Sequence, residues 1–240
     1  MSTEHFEIVS RFRGPPRSGN GGYTCGRLAA HLDGTVAARL KAPPPLGTPL
    51  RLDTAEGVAR LFAGDTLVGE AKPAALDLPV PPAPTLTQAR DAVPDFIGFR
   101  RHSFPGCFVC GPERPPQDGL CIFPGPVEGT PLIASPWTPD PSLADETGAV
   151  RPEFVWSALD CPGAFAVMPR LAEGVAVVLG ELTASLDADV RAGEPHIVAG
   201  WSLGQDGRKH LAGTAVYAED GRVLAFARAV WIEVPQATWG

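Results

Sequence analysis

The chain has 240 residues, a formal net charge of −7 and a hydrophobic share of 44%, the profile of a globular protein large enough to bury a core without disulfides or metal. It shows no basic stripe of the kind that binds nucleic acid, and no apolar run of about 18 residues that would span a bilayer. Met1 to Arg13 mixes charges throughout, unlike a secretory signal, and five cysteines in uneven spacing argue against a secreted disulfide scaffold, so a cytoplasmic protein is expected.

In chain order, the first patterned segment opens at Asn20, which can cap a helix over Gly21 to Leu32. A strand over Val36 to Lys41 follows, then a turn through Pro43 to Pro49 and a strand over Leu67 to Lys72. The stretch from Pro73 to Pro94, with Pro79, Pro81, Pro82 and Pro84 inside it, favours extended backbone and interrupts sheet and helix alike. It divides the chain into an N-terminal part (1–78), a proline-rich linker (79–105) and a C-terminal part (106–240).

The C-terminal part is read more easily. Phe154 to Pro169 carries a single charge, Asp160, and is rich in Ala, Leu, Met and Trp without alternation. This predicts a buried helix starting near Pro152, a residue suited to the first helical position, and kinked at Pro162-Gly163. Leu182, Ala184, Leu186, Ala188 and Val190 then alternate with polar residues, the period of a half-buried strand. After the Arg191–Glu194 turn come strands over Ile197–Leu203, His210–Tyr217 and Val223–Ile232, with Asp206-Gly207 and Asp220-Gly221 as hairpin signals. Four strands in succession predict an antiparallel meander.

The two parts align with each other. Tyr23 laid on Phe154 brings Leu28 onto Leu159; Gly47-Thr48-Pro49 laid on Gly193-Glu194-Pro195 puts Val36 on Leu182 and Leu40 on Leu186; and Leu67–Lys72 matches Val223–Arg228 in residue type. Helix, strand, turn and strand in the same order is the signature of a repeated unit. A long helix wrapped by an antiparallel sheet, present twice, is similar to the double-hotdog arrangement of thioesterases. Arg17-Ser18-Gly19-Asn20-Gly21-Gly22-Tyr23 resembles the glycine-rich helix start of TesB-like acyl-CoA thioesterases. Cys107-Phe108-Val109-Cys110-Gly111-Pro112, with Gly119-Leu120 after it, resembles a lead-in of PaaI-like hotdog proteins.

The resemblance implies an α+β fold of two fused hotdog units and a groove between them that takes an acyl-CoA or other acyl thioester. In PaaI-like members a His-Gly-Gly helix start precedes a catalytic Asp on the same helix. Here Arg151-Pro152-Glu153 replaces the His-Gly-Gly, while Asp160 stands where the family places its acid. The first helix has the opposite pattern, glycines at its start and Ala29 at the acid's position. Complementary loss of this kind is what a fused pseudo-dimer with one working groove would show.

Asp160 is the leading catalytic candidate, as base or nucleophile. An unpaired buried carboxylate is costly, so it finds partners or shifts its pKa upward. The plainer alternative is that it bonds backbone groups freed by the Pro162 kink. Asn20, Gly21 and Gly22 form the second component: a helix N-terminus with no side chains in the way can polarise a carbonyl through its amides. It can equally be a plain capped turn. Tyr23, Trp156 and Phe165 are candidates to line an acyl channel, with core packing as their other reading. Cys107 and Cys110 form a CxxC to which Cys121 and His102 could add zinc ligands, but the spacing does not fit a zinc ribbon and a buried reduced pair is expected. Ser157 lacks a nucleophile-elbow frame. No metal or redox cofactor is implied. Antiparallel sheet edges and the precedent of the fold suggest a homodimer, with a small acyl thioester as partner and neither nucleic acid nor membrane. A non-catalytic acyl-CoA or lipid-binding protein of the same architecture is the alternative function.

Overall fold

Period-two burial is plain in the strand Val36–Leu40, where Val36 and Ala38 are buried and Arg39 is exposed. The same chemistry builds one antiparallel sheet of eleven strands in a computed structural model that describes residues 2–115 and 117–239. In chain order the elements are β1 (Ser2–Phe6), α1 (Gly21–Ala29), β2 (Val36–Leu40), β3 (Leu50–Ala55), β4 (Val58–Ala63), β5 (Thr66–Pro73) and α2 (Leu86–Ala92). They continue with β6 (Gly125–Pro126), β7 (Ile133–Trp137), α3 (Pro152–Ala158), α4 (Cys161–Val167), β8 (Val175–Leu186), β9 (His196–Asp206), β10 (Lys209–Ala218) and β11 (Val223–Pro235). No helix among the described residues is long and apolar enough to cross a membrane.

The sheet reads alike in both directions from the β2–β8 junction: β2-β5-β4-β3-β1 on one side, β8-β11-β10-β9-β7-β6 on the other. Across the junction Val36 pairs with Ala184 and Ala38 with Leu182, so exchanging Val36 for Leu182 and Ala38 for Ala184 leaves the register unchanged. The aligned segments also occupy matching ladder positions. Ala38 faces Ala71 in one half, and Ala184 faces Ala227 in the other.

Several expectations change. β8 pairs with β11 and not with β9, so the four C-terminal strands are not a simple meander. The chain leaves β8 by bending over the start of β11, where Leu224 O accepts from the Asp187 and Ala188 amides. The strand pattern therefore stops at Leu186, already partly exposed, instead of running to Val190. β1, β3 and β4 were not expected. β3 and β4 join through Glu56-Gly57, both at positive φ, a two-residue turn without the Asn-Gly or Asp-Gly signal.

The linker also holds structure. The dense proline run gives way after Pro84, where Thr85 with Gln88 forms a reciprocal capping box that starts α2. Leu86, Ala89 and Ala92 then pack on Ile197, Ala199, Trp201, Ala215 and Tyr217, a second core on the opposite face of the sheet. β9 is consequently buried on both faces from His196 to Trp201.

The long helix of the second half divides into α3 and α4, broken at Leu159-Asp160, just ahead of the expected kink. Pro162 cannot donate to the carbonyl four residues back, and its ring crowds that turn, so the helix yields upstream of it. Thr214 Oγ1 donates to Leu159 O at 2.8 Å and satisfies a carbonyl at the break. α1 ends at Ala29, one turn earlier than expected.

α1 and α3 pack against each other through Gly22 and Gly26. A Cβ on Gly26 would lie 2.5 Å from Glu153 Cα, and one on Gly22 would lie 2.6 Å from both Asp160 Cβ and Trp156 O. Only hydrogen fits at these two points. Gly26→Ala, which touches no candidate catalytic group, is expected to destabilise the fold by about 1–3 kcal/mol through overpacking. Thermal denaturation checks this, and an unchanged melting temperature would show that the helices do not depend on the close approach.

Candidate active site

Asp160 sits at the break between α3 and α4, where its side chain leaves its own helix. It makes no capping bond to α4. Instead Oδ2 accepts from Gly22 N–H at 2.8 Å and from Asn20 Nδ2 at 2.9 Å, both on α1 or its cap. Oδ1 is buried and has no hydrogen-bond partner among the described residues. Of the two readings open for this carboxylate, bonding to backbone freed by the kink is therefore not the one observed.

Asn20 is positioned by its capping role. Its Oδ1 accepts from Tyr23 N–H at 2.9 Å, which turns Nδ2 toward Asp160 and leaves it 3.9 Å from Cys107 Sγ. Gly22 supplies an amide that reaches Asp160, so that amide does not polarise a substrate carbonyl as the sequence reading had it. Gly21 N–H has no partner among the described residues, and Gly21 lines the cavity.

The cavity encloses about 250 Å³. Asn20, Gly21 and Asp160 lie on one wall, Phe165 and Met168 come from α4 and the turn after it, Leu179 comes from β8, and Trp231 comes from β11. Phe165 lines it as expected. Tyr23 and Trp156 do not: Tyr23 stacks on Phe12 with ring centroids 4.5 Å apart, and Trp156 is buried where α3 meets Gly26. Tyr23 points away from the groove because it follows Gly22 by about 100° around α1. Trp156 lies a helical turn before Asp160, but the break between them removes the shared face. Trp231 and His102 line the cavity without having been singled out for it.

Burial is the main influence on Asp160 and raises its pKa from the ordinary 3.8 to about 7. The Gly22 amide and the Asn20 side chain oppose that rise, and neighbouring Cys107 adds to it.

Three buried thiols stand beside this carboxylate. The sulfurs of Cys107, Cys110 and Cys161 all lie within 4.8 Å of one another. Cys107 and Cys110 are buried, and no disulfide joins them. Cys121 is outside the cluster, its thiol directed at Gly119 O. His102 is committed elsewhere: Nδ1 accepts from Phe104 N–H at 3.0 Å, which leaves the proton on Nε2 to donate to Cys110 O at 3.0 Å. The thiol that completes the group is Cys161, the neighbour of Asp160 in sequence.

No family model and no curated protein sequence matches the chain. Solved structures do. A TesB protein of Mycobacterium avium subspecies paratuberculosis superposes with a TM-score of 0.63 at 12% identity, over 97% of this chain and 93% of that one. A conserved protein of unknown function with a hot dog fold from Alicyclobacillus acidocaldarius gives 0.57 at 10% identity over the same shares of the two chains. The chain has a hotdog fold. An acyl-CoA thioesterase II from Mycobacterium marinum shares that hotdog architecture, with a TM-score of 0.59 at 12% identity, over 97% of this chain and 93% of its own.

In this hotdog protein the raised Asp160 pKa links folding to pH. Above about pH 4 the unfolded chain releases this proton more readily than the folded one, so stability falls as pH rises toward 7 and then levels off. Within that window the slope is on the order of 1.4 kcal/mol per pH unit. Asp160→Asn removes the titration. Its stability relative to wild type, followed by chemical denaturation from pH 5 to 8, is expected to improve with pH up to about 7 and then level off. A difference that stays constant would mean that the carboxyl titrates as it does in water.

Proposed function

We propose that the protein hydrolyses an acyl thioester of the acyl-CoA type in this cavity, with Asp160 as general base. The observation that carries the reading is the state of that carboxylate: one oxygen held by two donors from the other helix, the second unpartnered, on the wall of a largely apolar cavity. A pKa near 7 suits a base that must take a proton from water at neutral pH and return it to a leaving thiolate. Water adds to the thioester carbonyl, the C–S bond breaks, and the products are a carboxylic acid and a free thiol. The Gly21 amide, without a partner among the described residues, is the donor available to the carbonyl oxygen.

In this reading the chain is two fused hotdog units, with halves near 1–78 and 106–240 and the segment 79–105 between them. The matching ladder register on either side of the β2–β8 junction supports it. Each half contributes part of one site: α1 gives Asn20, Gly21 and Gly22, and the α3–α4 break gives Asp160. Five free cysteines fit a reducing compartment, and we place the protein in the cytoplasm.

A panel of acyl-CoA substrates assayed with a thiol-trapping dye tests the proposal. Asp160→Asn is expected to lower kcat/KM by about 10²–10⁴-fold, and the wild-type rate to rise with pH through about 7 as the carboxylate loses its proton. Turnover unaffected by the substitution would remove Asp160 from the mechanism. Binding detected by thermal shift without any thiol release would instead make this an acyl-CoA-binding protein.

A further inference from the structure

The hydrolytic reading leaves three buried sulfurs in the cavity wall without a task. Cys107 comes from the loop after α2 and Cys161 from the first turn of α4, yet their sulfurs are 3.7 Å apart. A disulfide needs about 2.05 Å, so a shift of under about 2 Å, shared between a loop and a helix start, would join them. Both residues line the cavity, which gives a small oxidant a route to them.

The two sulfurs are not equivalent. Hydrogen bonding with the Cys110 and Cys161 thiols, and with the backbone at Cys110 and Val109, lowers Cys107 well below the ordinary thiol value against the burial that would raise it. Asn20 Nδ2 also faces this sulfur, at 3.9 Å. Cys161 is pushed well above that value, chiefly by Cys107 beside it. A more acidic thiol next to a less acidic one is the arrangement in which one sulfur attacks an oxidant and the other resolves the product.

We propose that Cys107 and Cys161 are an oxidation site for hydroperoxides, closing to a disulfide that draws the α3–α4 break toward the loop and displaces Asp160 from Gly22. In the first step the Cys107 sulfur attacks a peroxide oxygen, the O–O bond breaks, and a sulfenic acid and water form. In the second the Cys161 sulfur attacks that sulfenic sulfur, the S–O bond breaks, and a second water leaves with the Cys161 proton. Two thiols lose two electrons, and hydrogen peroxide becomes two waters. Asp160 precedes Cys161 directly, so the peptide that carries the new bond also carries the carboxylate.

Neither readout below depends on turnover, so the inference stands or falls apart from the hydrolytic proposal. The full chain is treated with hydrogen peroxide, unfolded, alkylated with N-ethylmaleimide and weighed, with peptide mapping of the product. Two fewer adducts and a Cys107–Cys161 cross-link are expected in wild type and in Cys121→Ser, but not in Cys161→Ser. In parallel, the Gly22 amide, which donates to Asp160 Oδ2 at 2.8 Å, is followed by NMR. Its signal is expected to move on oxidation and to return with dithiothreitol, and to stay in place in Cys161→Ser. Thiols that all remain alkylatable, a Cys107–Cys110 cross-link, or one zinc per chain masking the three sulfurs would each overturn the site. A Cys107–Cys161 disulfide that leaves the Gly22 signal unmoved would overturn the displacement of Asp160.

Discussion

Asp160 leaves its own broken helix and closes two hydrogen bonds onto the start of another, and the surrounding architecture keeps that contact short and buried. A buried carboxylate with a single satisfied oxygen is an expensive group. It persists here because α1 presents an amide at Gly22 and a side-chain amide at Asn20, both directed at the same oxygen. Neither donor would reach if the helices stood at ordinary distance. The glycines at 22 and 26 let α3 approach until backbone meets backbone, and the Pro162 break turns the acid out of its own helix toward α1.

The sheet explains why the two helices meet. Pairing of β2 with β8 brings the halves together about a register centred on Ala37 and Thr183, so the helices that each half wraps lie side by side over the junction. The two helices bring different groups to the contact. α1 carries small residues and a cap that fixes an amide, while the α3–α4 break carries the acid. The outer face of the second half is closed by α2, which leaves β9 and β10 buried on both sides and the site-bearing layer firmly backed.

Much of this was legible in the residues. A single charge in an apolar helix marked Asp160, Asn20 announced its cap, and the alignment of Val36 with Leu182 fell on the observed register. What was not legible depended on how distant segments meet. The bond between Asn20 and Asp160 spans the two halves, and no local pattern encodes it. Tyr23 and Trp156 were open to two readings, channel or core, and helix phase and the break at Leu159-Asp160 put them in the core. Cys161 was overlooked beside the more visible CxxC, although its place next to the buried acid was the available signal. β3 and β4 went unseen because their charged exposed faces and Glu-Gly turn dilute the strand pattern.

The central claim is that burial, only partly offset by two donors, keeps the Asp160 carboxyl protonated well above the range of an ordinary aspartate. Carbon-13 NMR of the aspartate side-chain carboxyls, with the Asp160 resonance assigned through its loss in the asparagine variant, measures this without reference to stability or substrate. The expected result is a titration midpoint at about 7. A midpoint near the ordinary 3.8 would contradict the account, because it would mean that water or a stronger partner reaches the oxygen left free.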